Sequence, residues 1–178
     1  TCTAKRAYQI ASEFRKRKIP VVMGGFHATL CPDEVLEYAD AIVVGEAEHL
    51  LEEVIGDFRR GQLKEKYIAP DGQFRDDILP DRSVYEGKDY LKLTLLESGR
   101  GCRFRCEFCS IHNFFRGRCH NREIATIVSE IQSLKSRKRL YFFVDDNIVA
   151  DQDYAARLFR ALVPLKIKWV GQADITIA

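Results

Sequence analysis

Short runs of continuous apolar residues alternate with segments of helical period along most of the chain, and nothing else narrows the choice of fold as much. Residues 21–23, 41–44, 93–96, 140–144 and 167–170 are such runs, too short for helices and too uniformly apolar for strands with one wet face. Between them, Ala4, Ala7, Tyr8, Ile10, Ala11 and Phe14 recur at helical spacing, and the basic run Arg15-Lys16-Arg17-Lys18 suits the negative end of that helix. Pro32, Asp33 and Glu34 are start signals for a second helix carrying Val35, Leu36 and Ala39. A third runs from about residue 48 to 60, with Gly61 as its C-cap. Asn121 and Asp151 are N-cap candidates for two more, one carrying Ile124, Ile127, Val128, Ile131 and Leu134, the other Tyr154, Ala155, Leu158, Phe159 and Leu162. Alternating buried strands and helices predict an α/β fold built on parallel sheets.

The alternation is interrupted once. Residues 62–92 hold Asp, Gly and Pro punctuation, including Pro70-Asp71-Gly72 and Leu79-Pro80-Asp81. The expected organisation is therefore a first unit over 1–61, a linker over 62–92 and a second unit over 93–178. Tyr67, Ile68, Phe74, Ile78, Leu79 and Tyr85 are too apolar for a free coil, so the linker should carry local structure.

The net charge of +2 gives no argument for nucleic acid or an anionic membrane as the main partner. No apolar run approaches the roughly 20 residues of a bilayer span. Three of the six cysteines crowd into one short segment, which favours a metal site in a reduced, cytoplasmic protein over a disulfide framework. Cys2, Cys31 and Cys119 are expected to be ordinary buried or half-buried thiols. The chain starts without Met, and its last apolar segment has no helix to cover it, so a piece of a longer protein is expected.

Cys102-Arg103-Phe104-Arg105-Cys106-Glu107-Phe108-Cys109 carries the chemistry. Three thiolates in eight residues, just after a strand, make a compact site for a soft metal. A four-iron cluster on three cysteines leaves one iron free for a small molecule, whose sulfonium bond a single electron can cleave. A single zinc on the cysteines and His112, with Cys119 and His120 as further candidates, stays open. Basic residues interleaved with Phe104, Phe108, Phe114 and Phe115 extend that alternative to a zinc-stabilised binding module for RNA. An aspartate pair, Asp145-Asp146, with Asn147, ends the strand over 140–144.

The cysteine spacing, the aromatic Phe108 before the last cysteine and the preceding Gly99-Arg100-Gly101 resemble the signature of the radical S-adenosylmethionine (radical SAM) superfamily. The resemblance implies a [4Fe-4S] cluster on Cys102, Cys106 and Cys109 after the first strand of a full or partial (β/α) barrel. It places S-adenosylmethionine against Phe108 and against Asp145, Asp146 and Asn147. Those three depart from the family's Gly-Gly-Glu-like turn. Gln172, and Asp174 beside it, are placed near the same site.

Gly24-Gly25-Phe26-His27-Ala28-Thr29 ends the first strand and Gly45-Glu46 the second. Glycines there let a ligand approach the carboxyl edge of a parallel sheet. With Pro32-Asp33-Glu34 and the run Ala39-Asp40-Ala41-Ile42-Val43-Val44, these turns resemble the C-terminal half of a Rossmann-like, flavodoxin-type cobalamin-binding domain. In that resemblance Gly24 and Gly25 lie against the nucleotide tail of the corrin, while Phe26, His27, Gly45 and Glu46 border its edge. Together the two resemblances imply a cobalamin-dependent radical SAM enzyme that methylates or rearranges an unactivated carbon of a small or lipid-like molecule, supplied with electrons by a flavodoxin or ferredoxin. No catalytic residue is assigned.

Overall fold

A computed structural model describes residues 1–70, 72, 74–76, 78–91, 93–134 and 140–175. Asp71 of the expected Pro-Asp-Gly turn and the final residues of the C-terminal apolar segment lie outside them. The chain divides into two compact units, Thr1–Arg75 and Asp76–Ala178.

The first unit runs α1 (Ala4–Lys16), β1 (Val22–Met23), α2 (Phe26–Leu30), α3 (Pro32–Leu36), β2 (Ala41–Val44), a 3-10 turn (Ala47–His49), α4 (Leu51–Arg59) and β3 (Lys66–Ile68). The three strands form one parallel sheet in the order β1-β2-β3, with Val22 opposite Ala41 and Val43 opposite Tyr67. Side chains of a strand alternate between faces, and β2 shows both faces dry. Ala41 and Val43 pack with Leu50, Val54 and Tyr67, on the side of α4. Ile42 packs with Ala28, Val35 and Ala39, with Tyr8 of α1 against them. This two-sided burial is why residues 41–44 read as a continuous apolar run.

Two expectations change here. The stretch 62–92 contributes a strand, β3, to the first sheet, because buried Tyr67 supplies the apolar side chain the α4 face needs. The helix expected from Pro32 is preceded by another short one, α2; the two break at Cys31, whose φ of −131° and ψ of 58° leave the helical region.

The second unit runs through a 3-10 turn (Ser83–Tyr85), β4 (Leu93–Leu96), β5 (Gly99–Gly101), α5 (Ser110–Phe115), β6 (Cys119–Asn121), α6 (Ile124–Ser133), β7 (Leu140–Phe143), α7 (Gln152–Leu162), a 3-10 turn (Val163–Leu165) and β8 (Lys168–Gly171). Its sheet is parallel in the order β4-β7-β8. One face is covered: Leu96, Tyr141 and Phe143 pack with Ile127 and Ile131 of α6 and with Tyr154, Ala155 and Leu158 of α7. The Leu, Ile and Phe side chains among them each contribute about 1.5–3 kcal/mol by leaving water. The alternate positions Leu95, Leu140 and Val170 remain 53, 40 and 45% exposed, so among the described residues the other face is uncovered.

Asp151 caps α7 as expected, its carboxylate accepting the Tyr154 N–H at 2.9 Å. Asn121 does not cap α6. It lies in β6, which pairs antiparallel with β5 so that Gly99 faces Asn121 and Gly101 faces Cys119. The expected burial of Cys2 and Cys119 is also corrected: both are exposed, and only Cys31 is half-buried.

Candidate functional site

The cysteine loop, residues 102–109, leaves the end of β5 and enters α5. The β5–β6 pair closes its base, and Gly101 is required there. Its φ is +84°, and a Cβ would stand 2.1 Å from the Arg118 carbonyl oxygen, so any other residue forces the two strands apart. Within the loop the Cys109 N–H donates to the Cys106 carbonyl at 3.0 Å. All six cysteines are free; Cys102 and Cys109 are half-buried, and Cys106 is exposed. Phe108 stands 92% exposed between the last two thiols.

The carboxyl end of β7 fastens this loop to the sheet. Asp146 accepts the Gly101 N–H at 2.8 Å. The Asn147 amide nitrogen lies 3.7 Å from the Cys102 sulfur and donates to Asp174, past the end of β8, at 2.6 Å. Its carbonyl oxygen accepts the Val149 and Asp174 N–H groups at 3.3 Å. Gln172 joins through its backbone, its carbonyl accepting the Ile148 N–H at 2.9 Å. Three strand ends therefore meet around Cys102 through short polar contacts.

Asp145 plays another part. It is buried and turned toward the end of β4, accepting the Ser98 N–H at 3.1 and 3.2 Å and the Ser98 hydroxyl at 2.5 Å. Among the described residues no cation pairs with it, and burial pushes its carboxyl up to about 6. Burial likewise raises the half-buried Asp146, against the lowering effect of the Gly101 N–H. Beneath, the Tyr154 hydroxyl lies 3.0 Å from the Ser98 carbonyl and 2.8 Å from that of Arg122, and burial holds the phenol well above its ordinary range.

A buried ion-pair chain supports the same corner. Arg122 donates to the Glu97 carbonyl at 2.6 Å and to Glu130 at 3.0 Å, and Arg82 donates to the other Glu130 oxygen at 2.7 Å. Sequence reading missed Ser98, Tyr154, Glu130 and Arg82. Ser98 had one available signal, its place two residues beyond the β4 run.

The thiol spacing bears on the metal. A zinc ion bonds sulfur at about 2.3 Å and so draws its ligands within about 4 Å of each other. Among the described residues, the group of three His, Cys, Asp or Glu donors that closes within 4.8 Å is His27, Cys31 and Glu34, in the first unit. Cys102, Cys106, Cys109 and His112 form no such group. A cubane cluster is wider than one ion, so thiols that do not close to zinc spacing are compatible with it.

In the first unit, the ends of β1 and β2 carry Gly25 at φ +85° and Gly45 at φ +86°. A Cβ on Gly25 would meet nothing within 4 Å, so open space lies above that backbone. The Thr29 hydroxyl ties the two turns, donating to the Gly25 carbonyl and accepting the Gly45 N–H, both at 2.9 Å. Phe26 and Glu46 flank the turns half-buried. His27 is engaged with the helices instead: its Nε2 lies 3.0 Å from the Tyr8 hydroxyl and 3.4 Å from Glu34.

No family model matches the chain. Curated relatives do. Bacteriochlorophyllide d C-8(2)-methyltransferase of Chlorobaculum tepidum is 34% identical over 153 residues, 80% of this chain and 32% of the relative. Bacteriochlorophyllide d C-12(1)-methyltransferase of the same organism is 27% identical over 95% of this chain and 39% of its own length. Anaerobic magnesium-protoporphyrin IX monomethyl ester cyclase of Rubrivivax gelatinosus is 30% identical over 84% of this chain and 31% of its own. The chain spans about a third of the length of these relatives. Among solved structures, the radical S-adenosylmethionine methyltransferase TsrM of Kitasatospora setae, with cobalamin and a [4Fe-4S] cluster bound, superposes with a TM-score of 0.71 at 22% identity, covering 92% of this chain and 37% of TsrM. The chain thus resembles methyltransferases and a cyclase in sequence, and its α/β fold of parallel sheets is that of a radical S-adenosylmethionine methyltransferase.

Proposed function

We propose that this chain holds the cofactor-binding part of a cobalamin-dependent radical S-adenosylmethionine enzyme that methylates or rearranges an unactivated carbon of a small or lipid-like substrate. The observation that carries the reading is a loop of three free thiols tied at Gly101 and Cys102 to polar groups from the ends of β7 and β8. Cys102, Cys106 and Cys109 hold a [4Fe-4S] cluster. When bound, the reduced cluster supplies the electron that cleaves S-adenosylmethionine into methionine and a deoxyadenosyl radical, and cobalamin supplies a methyl carrier.

The chain's own residues bind and orient. Asn147 fixes the Cys102 thiolate by its amide and orients Asp174, so the cluster edge and the β8 end keep one register. Asp146 locks the loop base through Gly101. Phe108, standing free of the protein core, offers its ring as a stacking surface for the adenine. Gln172 and Asp174 offer polar atoms to the cofactor's ribose and amino acid end. Asp145 acts one step back: bonded to Ser98, it positions the β4 end rather than touching cofactor.

In the first unit, Gly24, Gly25, Phe26, Gly45 and Glu46 border the corrin, with the Thr29 hydroxyl tying the two turns together. His27, engaged with Tyr8 and Glu34, is left out of that set. The exposed arginines around the loop, Arg103 and Arg105 among them, suit an acidic electron donor such as flavodoxin or ferredoxin.

The test is the paramagnetic resonance spectrum of the anaerobically reconstituted, reduced chain with and without S-adenosylmethionine. The reading expects the cofactor to change the signal, with apparent affinity falling about tenfold in Asn147→Ala and in Phe108→Ala. A signal indifferent to S-adenosylmethionine contradicts it.

A further inference from the structure

His27, Cys31 and Glu34 follow one another at spacings of four and three, which brings side chains to one face of a helical segment. The break between α2 and α3 falls at Cys31 and does not undo this. The imidazole nitrogen, the thiol sulfur and a carboxylate oxygen lie within 4.8 Å of one another. His27 and Cys31 are half-buried and Glu34 is exposed, so the group is anchored on one side and open on the other.

Tyr8 of α1 completes the arrangement. Its hydroxyl donates to Glu34 Oε1 at 2.8 Å and lies 3.0 Å from His27 Nε2, and its ring stacks on Tyr38 with centroids 4.0 Å apart. The carboxylate is thus held by one oxygen and has the second to spare.

We propose that His27, Cys31 and Glu34 form a divalent transition-metal site, best suited to zinc. One nitrogen, one thiolate and one carboxylate are the donors zinc accepts, and three protein ligands leave a fourth position open. Ligand atoms around tetrahedral zinc stand about 3.3–3.7 Å apart by its bond lengths. Small side-chain rotations close the group from its present spacing, the Tyr8 hydrogen bonds to His27 and Glu34 adjusting with them. Tyr8 acts from outside the coordination sphere, orienting the carboxylate as outer partners of metal ligands do. All the donors lie in the first unit, so the proposal does not rest on the cluster reading.

The experiment is a cobalt(II) titration, with zinc competition, of the whole chain carrying Cys102→Ala, Cys106→Ala and Cys109→Ala to silence the cysteine loop. About one cobalt per chain is expected, with a thiolate-to-cobalt charge-transfer band and tetrahedral visible bands that zinc abolishes. Cys31→Ser in the same background removes the charge-transfer band. Glu34→Gln, at an exposed position that leaves folding intact, weakens binding about tenfold or more, and Tyr8→Phe does so to a smaller extent. No cobalt uptake, or a charge-transfer band that survives Cys31→Ser, overturns the site. So does affinity unchanged in Glu34→Gln.

Discussion

The two sheets of this chain are built from the same parts and finish differently. In the first unit β2 is dry on both faces, with α4 on one side and α2 and α3 on the other. Its carboxyl edge is mostly bare backbone, with glycines at positive φ and open space above Gly25. In the second unit, among the described residues, helices cover one face, and Leu95, Leu140 and Val170 line the other, uncovered one. Its carboxyl edge is crowded with Ser98, Asp145, Asp146, Asn147 and Asp174, bonded to each other and to the cysteine loop. A bare edge suits a large flat ligand that lies on backbone; a crowded one suits a loop held in one register.

The buried carboxylates sharpen the contrast. Asp57 of α4 is held by the Tyr67 hydroxyl at 3.0 Å, by the Arg60 guanidinium and by Lys64 at 3.6 Å. The phenol hydrogen bond and these cations hold its carboxyl below the usual carboxylate range. Asp145 meets neutral donors from Ser98, and burial raises it to about 6. The two therefore respond to pH with opposite signs.

The largest expected effect separates the units outright. Glu130→Ala leaves the Arg122 charge in the second core without its carboxylate, and breaking a buried pair from one side costs about 3–5 kcal/mol. Trp169, the one tryptophan, packs against Phe143 and Phe159 and reports this unit by fluorescence. Its unfolding midpoint should fall steeply, while amide exchange at Ile42 and Val43 in the first unit stays unchanged.

Asp145 gives the next effect. A carboxyl raised from 3.8 to about 6 favours the fold fully below pH about 4, and this is lost as pH rises through about 6. Second-unit stability should thus decline across that window by an amount on the order of 2 kcal/mol. Asp145→Asn, which keeps an acceptor for Ser98, should flatten the profile. A wild-type profile already flat between pH 4 and 6 breaks the comparison. For Asp57 the sign reverses: its contribution is present above the ordinary carboxylate range and is lost as pH falls through its lowered value.

The smallest effect is Tyr67→Phe, which removes the hydroxyl that donates to Asp57 and accepts the Lys64 N–H, both at 3.0 Å, and should cost the first unit on the order of 1 kcal/mol. Amide exchange in β2 should quicken, with the Trp169 transition unmoved.

Much of this was legible in the residues. The apolar runs placed β2, β4 and β7 within a residue of where they lie, and β8 is shifted by one toward Gly171. Asp151 capped its helix as its side chain predicts. What escaped depends on pairing across the chain. Gly99-Arg100-Gly101 and Cys119-His120-Asn121 have no strand pattern of their own, and they become β5 and β6 only by bonding to each other. Asn121 therefore looked like a cap. Lys66–Ile68 sat among Gly and Pro signals, and only the buried side of Tyr67 marked it as part of a sheet. At the site, the cysteine spacing named the loop, while the division of labour among Asp145, Asp146 and Asn147 needed three dimensions. Three adjacent polar residues face Ser98, Gly101 and Cys102 respectively, as backbone beyond a strand turns.

The central claim is that Cys102, Cys106 and Cys109 hold a four-iron cluster. The most direct measurement is iron, sulfide and zinc content of the chain reconstituted without oxygen, beside Cys106→Ala. A cluster on these thiols gives about four irons and four sulfides per chain, with broad absorbance in the visible, and loss of both iron and colour in the variant. Stoichiometric zinc with no iron, or iron uptake indifferent to Cys106→Ala, would contradict it.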